Sequence, residues 1–165
     1  MDDARREGGG LEIDDGGCEE EYDGYGDETI RDGPLGQELL TPTRIYARDC
    51  LALAEGCDVH AFAHVTGGGL AANLARVLPE GTGAAVDRGT WHPPAIFGLL
   101  AGHGGVGQDE MERVFNMGVG MAAVVGARDA ETALGLLAAR DVPAWLVGEI
   151  SAGAGAARLV GRHPA

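Results

Sequence analysis

From Val59 to Val65 the chain reads Val-His-Ala-Phe-Ala-His-Val, which as a strand puts Val59, Ala61, Ala63 and Val65 on one face and His60, Phe62 and His64 on the other. The run breaks into Thr66-Gly67-Gly68-Gly69. Leu70, Leu74, Val77 and Leu78 then mark the buried side of a helix over residues 69–78 that Pro79 and Gly81 stop. Upstream, Tyr46, Cys50, Leu53 and Ala54 recur at helical spacing. Thr41 as N-cap and Pro42 in the first position predict a helix from there to Glu55, ended by Gly56. Downstream, residues 83–87 predict a short strand. Ile96, Phe97 and Leu100 predict a helix behind the rigid Pro93-Pro94 pair, and Met111, Val114 and Phe115 another over residues 109–115. The fully apolar residues 121–125 predict a central strand. Ala130, Ala133, Leu134, Leu137 and Ala138 then form the clearest amphipathic stripe, from Asp129 to about Arg140. Residues 145–147 and 158–160 predict two last strands. This alternation predicts an α/β fold: a mixed β-sheet with helices packed on it, some strands being joined by right-handed crossovers.

Charge separates the chain into two parts. The net charge is −14 over 165 residues, and residues 1–33 alone carry 13 of the 26 carboxylates against 3 of the 12 arginines. Residues 1–33 are rich in Asp, Glu and Gly and poor in aliphatic residues. They are expected to stay disordered, because they bury too little apolar surface to offset ordering entropy. Their carboxylate spacing matches no metal-loop signature such as an EF-hand. The ordered domain is expected over residues 34–165. No basic patch exists to meet nucleic acid or an anionic membrane, and no apolar run approaches the roughly 20 residues a spanning helix needs. Three cysteines without a CxxC pair suit free thiols in a reducing compartment. Together with the acidic start Met1-Asp2-Asp3, they lead to the expectation of a cytoplasmic protein.

Three glycines between a strand and a helix let backbone N–H groups converge on an anion, although a purely structural turn is an equal alternative. The stretch is not a Walker loop: the Gly-Lys-Ser/Thr ending is absent, and the chain contains no lysine. Nor does a GxGxxG follow the strand. His64, at the strand end beside the glycines, is a candidate acid/base or hydrogen-bond donor. His60, His92, His103 and His163 show no metal-ligand spacing and are read as structural or exposed, so no metal site is expected. Asn116 stands at a helix-to-strand junction, where it can bond its own backbone or contact an amide or ribose. Thr43 and Arg44 lie where Arg44 reaches either a phosphate or, the preferred reading, a neighbouring carboxylate.

Five ordered motifs resemble one family. They are Leu39-Leu40-Thr41-Pro42-Thr43-Arg44-Ile45-Tyr46; His64 to Leu70 with Asn73 and Arg76-Val77-Leu78-Pro79; Trp91 with Pro93-Pro94 and Ile96-Phe97; Glu110-Met111; and Phe115 to Met121. From Leu35 to about Pro164 the chain is similar to the C-terminal domain of phosphoribosylformylglycinamidine cyclo-ligase, also called aminoimidazole ribonucleotide synthetase. That resemblance implies an ATP-dependent ring closure in purine biosynthesis. ATP phosphorylates the amide oxygen of formylglycinamidine ribonucleotide, and an internal nitrogen then displaces phosphate to close the imidazole. By the same resemblance Thr66, Gly67, Gly68 and Gly69 would hold the substrate phosphate and His64 would stand near the reacting atoms. Thr43, Arg44 and Asn116 are further candidate contacts with substrate or nucleotide. ATP and Mg2+ would be held mainly by the family's N-terminal domain, which also forms its homodimer and has no counterpart here. The chain alone is therefore expected to be inactive without that half supplied in trans. Two alternatives stand beside this reading. One is a non-catalytic module that binds a ribonucleotide phosphate. The other is another ligase of the superfamily, of the selenophosphate or hydrogenase-maturation type, which the Thr41-Pro42-Thr43-Arg44 and Phe115-Asn116-Met117-Gly118 matches disfavour.

Overall fold

The structure is a computed structural model that describes residues 35–164, with Gln37 as backbone alone; the acidic leader expected over residues 1–33 lies outside the described residues. The elements run α1 (Leu35–Leu39), α2 (Ala47–Gly56), β1 (Val59–His64), α3 (Gly69–Ala75), β2 (Thr82–Asp87), α4 (Ala95–Gly104), α5 (Gln108–Val114), β3 (Met121–Val125), α6 (Ala130–Ala138), β4 (Gly148–Ala152) and β5 (Ala157–Val160). Short 3-10 turns at Arg88–Thr90 and Ala127–Asp129 follow β2 and β3. The described strands form a β1–β3 antiparallel pair and a mixed sheet in the order β4-β2-β5, in which β4 runs antiparallel and β5 parallel to β2. The α/β fold with a mixed sheet and packed helices is thus observed.

One core joins the two sheets. Ala63 and Val65 from the end of β1, Ala84 and Val86 from β2, Leu70 and Leu74 from α3, and Trp91 and Val119 are all buried together. From Ala61 on, the alternation along β1 works as expected: Ala61 and Ala63 stand opposite Val124 and Ala122, while Phe62 and His64 face the other way with Ala123 and Met121. The register shifts between Val59 and Ala61, so that Val59 stands opposite Val125 rather than in line with Ala61. Although α3 ends at Ala75, the next residues keep turning through three-residue bonds from Val77 to Leu74 and Leu78 to Ala75. Val77 and Leu78 therefore still reach the core.

Three expectations need correction. First, Thr41 caps no helix. The helix starts at Ala47, with the Tyr46 carbonyl accepting from the amides of Asp49 and Cys50. Leu40 and Ile45 are 83% and 82% exposed, so extending the helix back to residue 42 would bury nothing and gain nothing from packing. Second, residues 145–147 form no strand; β4 begins at Gly148. A Cβ at position 148 would collide with the Ala85 carbonyl, so the ladder closes where a glycine allows it, three residues beyond Trp145, whose ring packs 6.5 Å from that of Trp91. Third, β3 is not central, since among the described strands it pairs with β1 alone. Its unbroken apolar run reflects cover on both faces: Ala122 and Val124 pack on the core, while Met121, Ala123 and Val125 line a cavity walled by α2 and α6.

Leu74 and Leu51 separate packing from helix propensity. Leu74 is 4% exposed in the core, and Leu51 is 63% exposed on α2. Leu74→Ala is expected to lower unfolding free energy by about 2–5 kcal/mol in urea titrations, and Leu51→Ala to change it by less than about 0.5 kcal/mol.

Candidate functional site

The ladder between β1 and β3 does not stop with the strands. The Val65 amide still donates to the Gly120 carbonyl at 2.9 Å, which carries the chain straight into Thr66-Gly67-Gly68-Gly69. There the Gly69 amide donates to Thr66 O at 3.1 Å and closes a turn, with Gly68 at φ 100° and Gly69 at φ 68°. Both lie in the left-handed region that a side chain would strain. Gly69 carries a second constraint. A Cβ there would overlap the Glu112 carbonyl oxygen and come within 3.2 Å of Phe115 O, so the start of α3 rests directly on the end of α5.

Asn73 ties the turn down from inside. Its Nδ2 donates to Gly69 O at 2.8 Å and approaches Thr66 O and Gly67 O at 3.3 Å each, while its Oδ1 accepts from Arg76 Nη1 at 3.1 Å. The turn's carbonyls are thus held from the helix side. The Gly67 and Gly68 amides donate to no group among the described residues, and Thr66 and Gly67 are exposed. Arg76 completes the arrangement, its Nη2 lying 3.7 Å from where a Gly68 Cβ would be. Two free amides and a guanidinium therefore lie at one open turn, a combination suited to an oxyanion.

His64 is exposed at the end of β1, with its ring edge-on to that of Tyr46 at 5.9 Å between centroids. Tyr46 in turn lies across Gly120, where any Cβ would overlap the phenol oxygen. The histidine is thus oriented by an aromatic ring that the absence of a side chain at position 120 admits. Asn116 adjoins Gly69 through Phe115, and its Oδ1 accepts from the Gly118 amide at 3.0 Å, so the side chain closes its own turn. Met117, at φ 51°, is held in that turn by the Trp91 indole, which donates to its carbonyl at 3.0 Å. His64, Thr66, Gly67, Gly68, Gly69 and Asn116 therefore share one neighbourhood.

Thr43 and Arg44 are placed differently. Thr43 is exposed in the stretch before α2, and Arg44 turns toward the end of α6, with Nη2 donating to Asp141 O at 3.3 Å and Nε 4.0 Å from Asp49. Asp49 also takes the Arg140 guanidinium at 2.9 Å. Beside this pair lies a cavity of about 350 Å3 lined by Leu53, Phe62, Ala133, Leu137 and Trp145. Among the described residues no three His, Cys, Asp or Glu side chains gather to hold a metal ion.

Asn73, Arg76 and Tyr46 belong to this site, although sequence reasoning singled out none of them as a candidate contact. A faint signal existed for Arg76, since it follows Asn73 by three residues and caps the C-terminal end of α3. None existed for Tyr46, whose helical spacing from Cys50 suggested a core position.

Under the site lies a buried ion pair. Glu112 accepts from Arg88 in bidentate fashion, at 2.8 and 2.6 Å, and from Gln108 at 2.8 Å, and its side chain is 6% exposed. Arg88 also donates to Leu159 O at 2.9 Å. Burial pushes the Glu112 carboxyl up, but the Arg88 and Gln108 hydrogen bonds and the charges of Arg88 and His163 outweigh it and hold the group below its ordinary range. The Arg88 guanidinium is pushed up chiefly by its bond to Glu112.

Comparison with known proteins gives one consistent result. The family profile described as AIR synthase related protein, C-terminal domain, matches residues 7–160. A Streptomyces fradiae protein provisionally named phosphoribosylformylglycinamidine cyclo-ligase is 54% identical over 135 residues, which cover 79% of this chain and 74% of that protein. The phosphoribosylformylglycinamidine cyclo-ligases of Anaeromyxobacter sp. strain Fw109-5 and Myxococcus xanthus are 50% and 47% identical, over 82% and 78% of this chain. The matched region spans only 38% and 37% of those two proteins.

Two predictions follow from the turn and the ion pair beneath it. Gly69→Ala, which needs both a strained φ and a displaced Glu112 carbonyl, is expected to cost more than about 2 kcal/mol in chemical denaturation. A Gly67 Cβ would meet nothing within 4 Å, so Gly67→Ala should leave stability within about 1 kcal/mol of the parent. The depressed Glu112 carboxyl contributes stability at neutral pH that is lost as pH falls below the ordinary glutamate value of about 4.3. Thermal melts from pH 7 to pH 3 should therefore fall more steeply for the parent than for Glu112→Gln.

Proposed function

The chain belongs to the family of AIR synthase related proteins, through their C-terminal domain, and on that premise we propose that it is the substrate-side portion of an ATP-dependent cyclo-ligase that closes the imidazole ring of aminoimidazole ribonucleotide. The identity of 47–54% to proteins named for that activity carries the reading. The open turn supports it: the Gly67 and Gly68 amides and Arg76 would receive the 5′-phosphate of formylglycinamidine ribonucleotide. His64, two residues before Thr66, would donate to or take a proton from the reacting end. Asn116, whose Oδ1 is engaged, would offer its amide N–H2 to the substrate. Arg44, paired to Asp49, would act at most after leaving that partner.

The donor set described here does not fit a magnesium nucleotide. Among the described residues no cluster of carboxylates gathers there, and the chain has no lysine. ATP phosphorylates the substrate amide oxygen in the proposed reaction, and its binding is assigned to the part of the relatives that the matched region does not span.

The test is complementation. Mixing this chain with the separately expressed N-terminal portion of the Myxococcus xanthus relative should release ADP in a substrate-dependent coupled assay. His64→Ala should lower that rate by about a hundredfold or more, and Arg76→Ala should raise the substrate KM with a smaller effect on kcat. No ADP release above that of either part alone would count against the reading. Ribonucleotide binding without turnover would favour the non-catalytic alternative.

A further inference from the structure

Buried polar side chains cost free energy unless they are satisfied. Among the described residues the two buried polar or charged side chains are Asn73 and Glu112, and both belong to residues in contact with Gly69. Asn73 bonds the Gly69 carbonyl, and the Glu112 carbonyl supports its α-carbon. Asn73 lies on α3, the helix that the turn opens, but Glu112 lies on another helix, and its carboxylate is held in the Arg88 fork.

That fork leads further. His163 Nε2 lies 3.4 Å from Glu112 Oε1 without the alignment of a hydrogen bond, and its Nδ1 is 3.4 Å from Trp91 O. The ring stands edge-on to Trp91 at 4.6 Å, and the Trp91 indole holds Met117 O in the Asn116–Gly118 turn. Arg88 binds Leu159 O and, at 3.4 Å, Gly161 O, fixing the segment that delivers His163. One connected set of contacts thus reaches both turns of the candidate site from beneath, without itself reaching the open surface of either.

We propose that Glu112, with Arg88 as its partner, is a positioning residue for the site: it fixes the end of α5 on which Gly69 rests and, through His163 and Trp91, the adjoining Asn116–Gly118 turn. The functional half of this inference rests on the reading of Thr66–Gly69 as a phosphate turn, and the spatial half does not. A bidentate guanidinium–carboxylate pair sets an angle as well as a distance, which is what holding one backbone against another requires. An apolar pair of equal volume would stabilise as well without fixing that angle.

The experiment compares the full chain with Glu112→Gln, Arg88→Lys and Gln108→Ala, the last removing one bond to Glu112 should the first two fail to fold. Glu110→Gln, on the exposed Glu110–Arg113 pair of the same helix, is the control. Hydrogen exchange is followed at the Gly69, Gly118 and Val119 amides, each bonded within one of the two turns, and at α6 as the internal reference. Positioning predicts exchange about tenfold or more faster at the three turn amides relative to α6 in the network variants, and no change in the control. Ribose 5-phosphate, titrated under conditions where every variant is folded by circular dichroism, should bind about fivefold or more weakly to those variants. Uniform acceleration that includes α6, or turn amides that exchange as in the parent, would overturn the proposal. Unchanged affinity beside loosened turns would overturn its functional half. If the parent itself does not bind ribose 5-phosphate, the phosphate reading fails, and the exchange rates still decide the positioning.

Discussion

The approach of the Gly69 α-carbon to the Glu112 carbonyl is the contact on which the rest of the site depends. It brings two helices together backbone to backbone, closer than any pair of side chains would allow, and requires a residue with no Cβ and a positive φ at one point. Because α3 starts there, Thr66-Gly67-Gly68 must span the gap between β1 and the contact, and the Gly67 and Gly68 amides donate to no group among the described residues. The same contact draws Phe115 and hence Asn116 to the turn. The open donors and the neighbouring asparagine are thus consequences of one packing decision in the core.

A second close approach sets the position of the histidine. Tyr46 lies over Gly120, and Gly120 is also where the β1–β3 ladder continues to Val65. A side chain at position 120 would displace the phenol and, with it, the ring against which His64 stands. Backbone ladder, aromatic contact and candidate acid/base are therefore coupled through one residue. This arrangement explains why α2 starts as late as Ala47: Tyr46 is committed to Gly120, and the preceding exposed residues have nothing to pack against.

The fold was legible wherever a local pattern coincided with burial. The β1 alternation, the 121–125 run and the α6 stripe all mark real elements, because each has at least one apolar face against something. What failed was position where tertiary contact overrode local preference. Thr41-Pro42 is a sound helix start chemically, yet it lies over solvent. Trp145-Leu146-Val147 has strand composition, yet the ladder begins at Gly148, opposite Val86, where only a glycine clears the Ala85 carbonyl. Around the candidate site, the positions of the glycine turn, of His64 at the strand end and of Asn116 in its own turn were legible because turn chemistry is local. Arg76 folding back on Gly68 and the Arg88–Glu112 pair under the turn were not. The first depends on a rotamer, the second on a partner 24 residues away, and neither leaves a spacing that a single sequence displays.

The structure also alters the physical basis of the anion reading. A glycine turn at a helix start suggests the helix dipole as the source of attraction, but α3 is seven residues long and its N-cap Gly68 supplies no side-chain cap. A helix of two turns contributes little field. What remains is local: two amides without a partner among the described residues and, beside Gly68, a guanidinium held by Asn73. These act over hydrogen-bond distances, so their strength depends on the turn keeping its shape rather than on the length of the helix behind it. A turn that works in this way needs rigid support from below, and that is where the described structure places its two buried polar side chains.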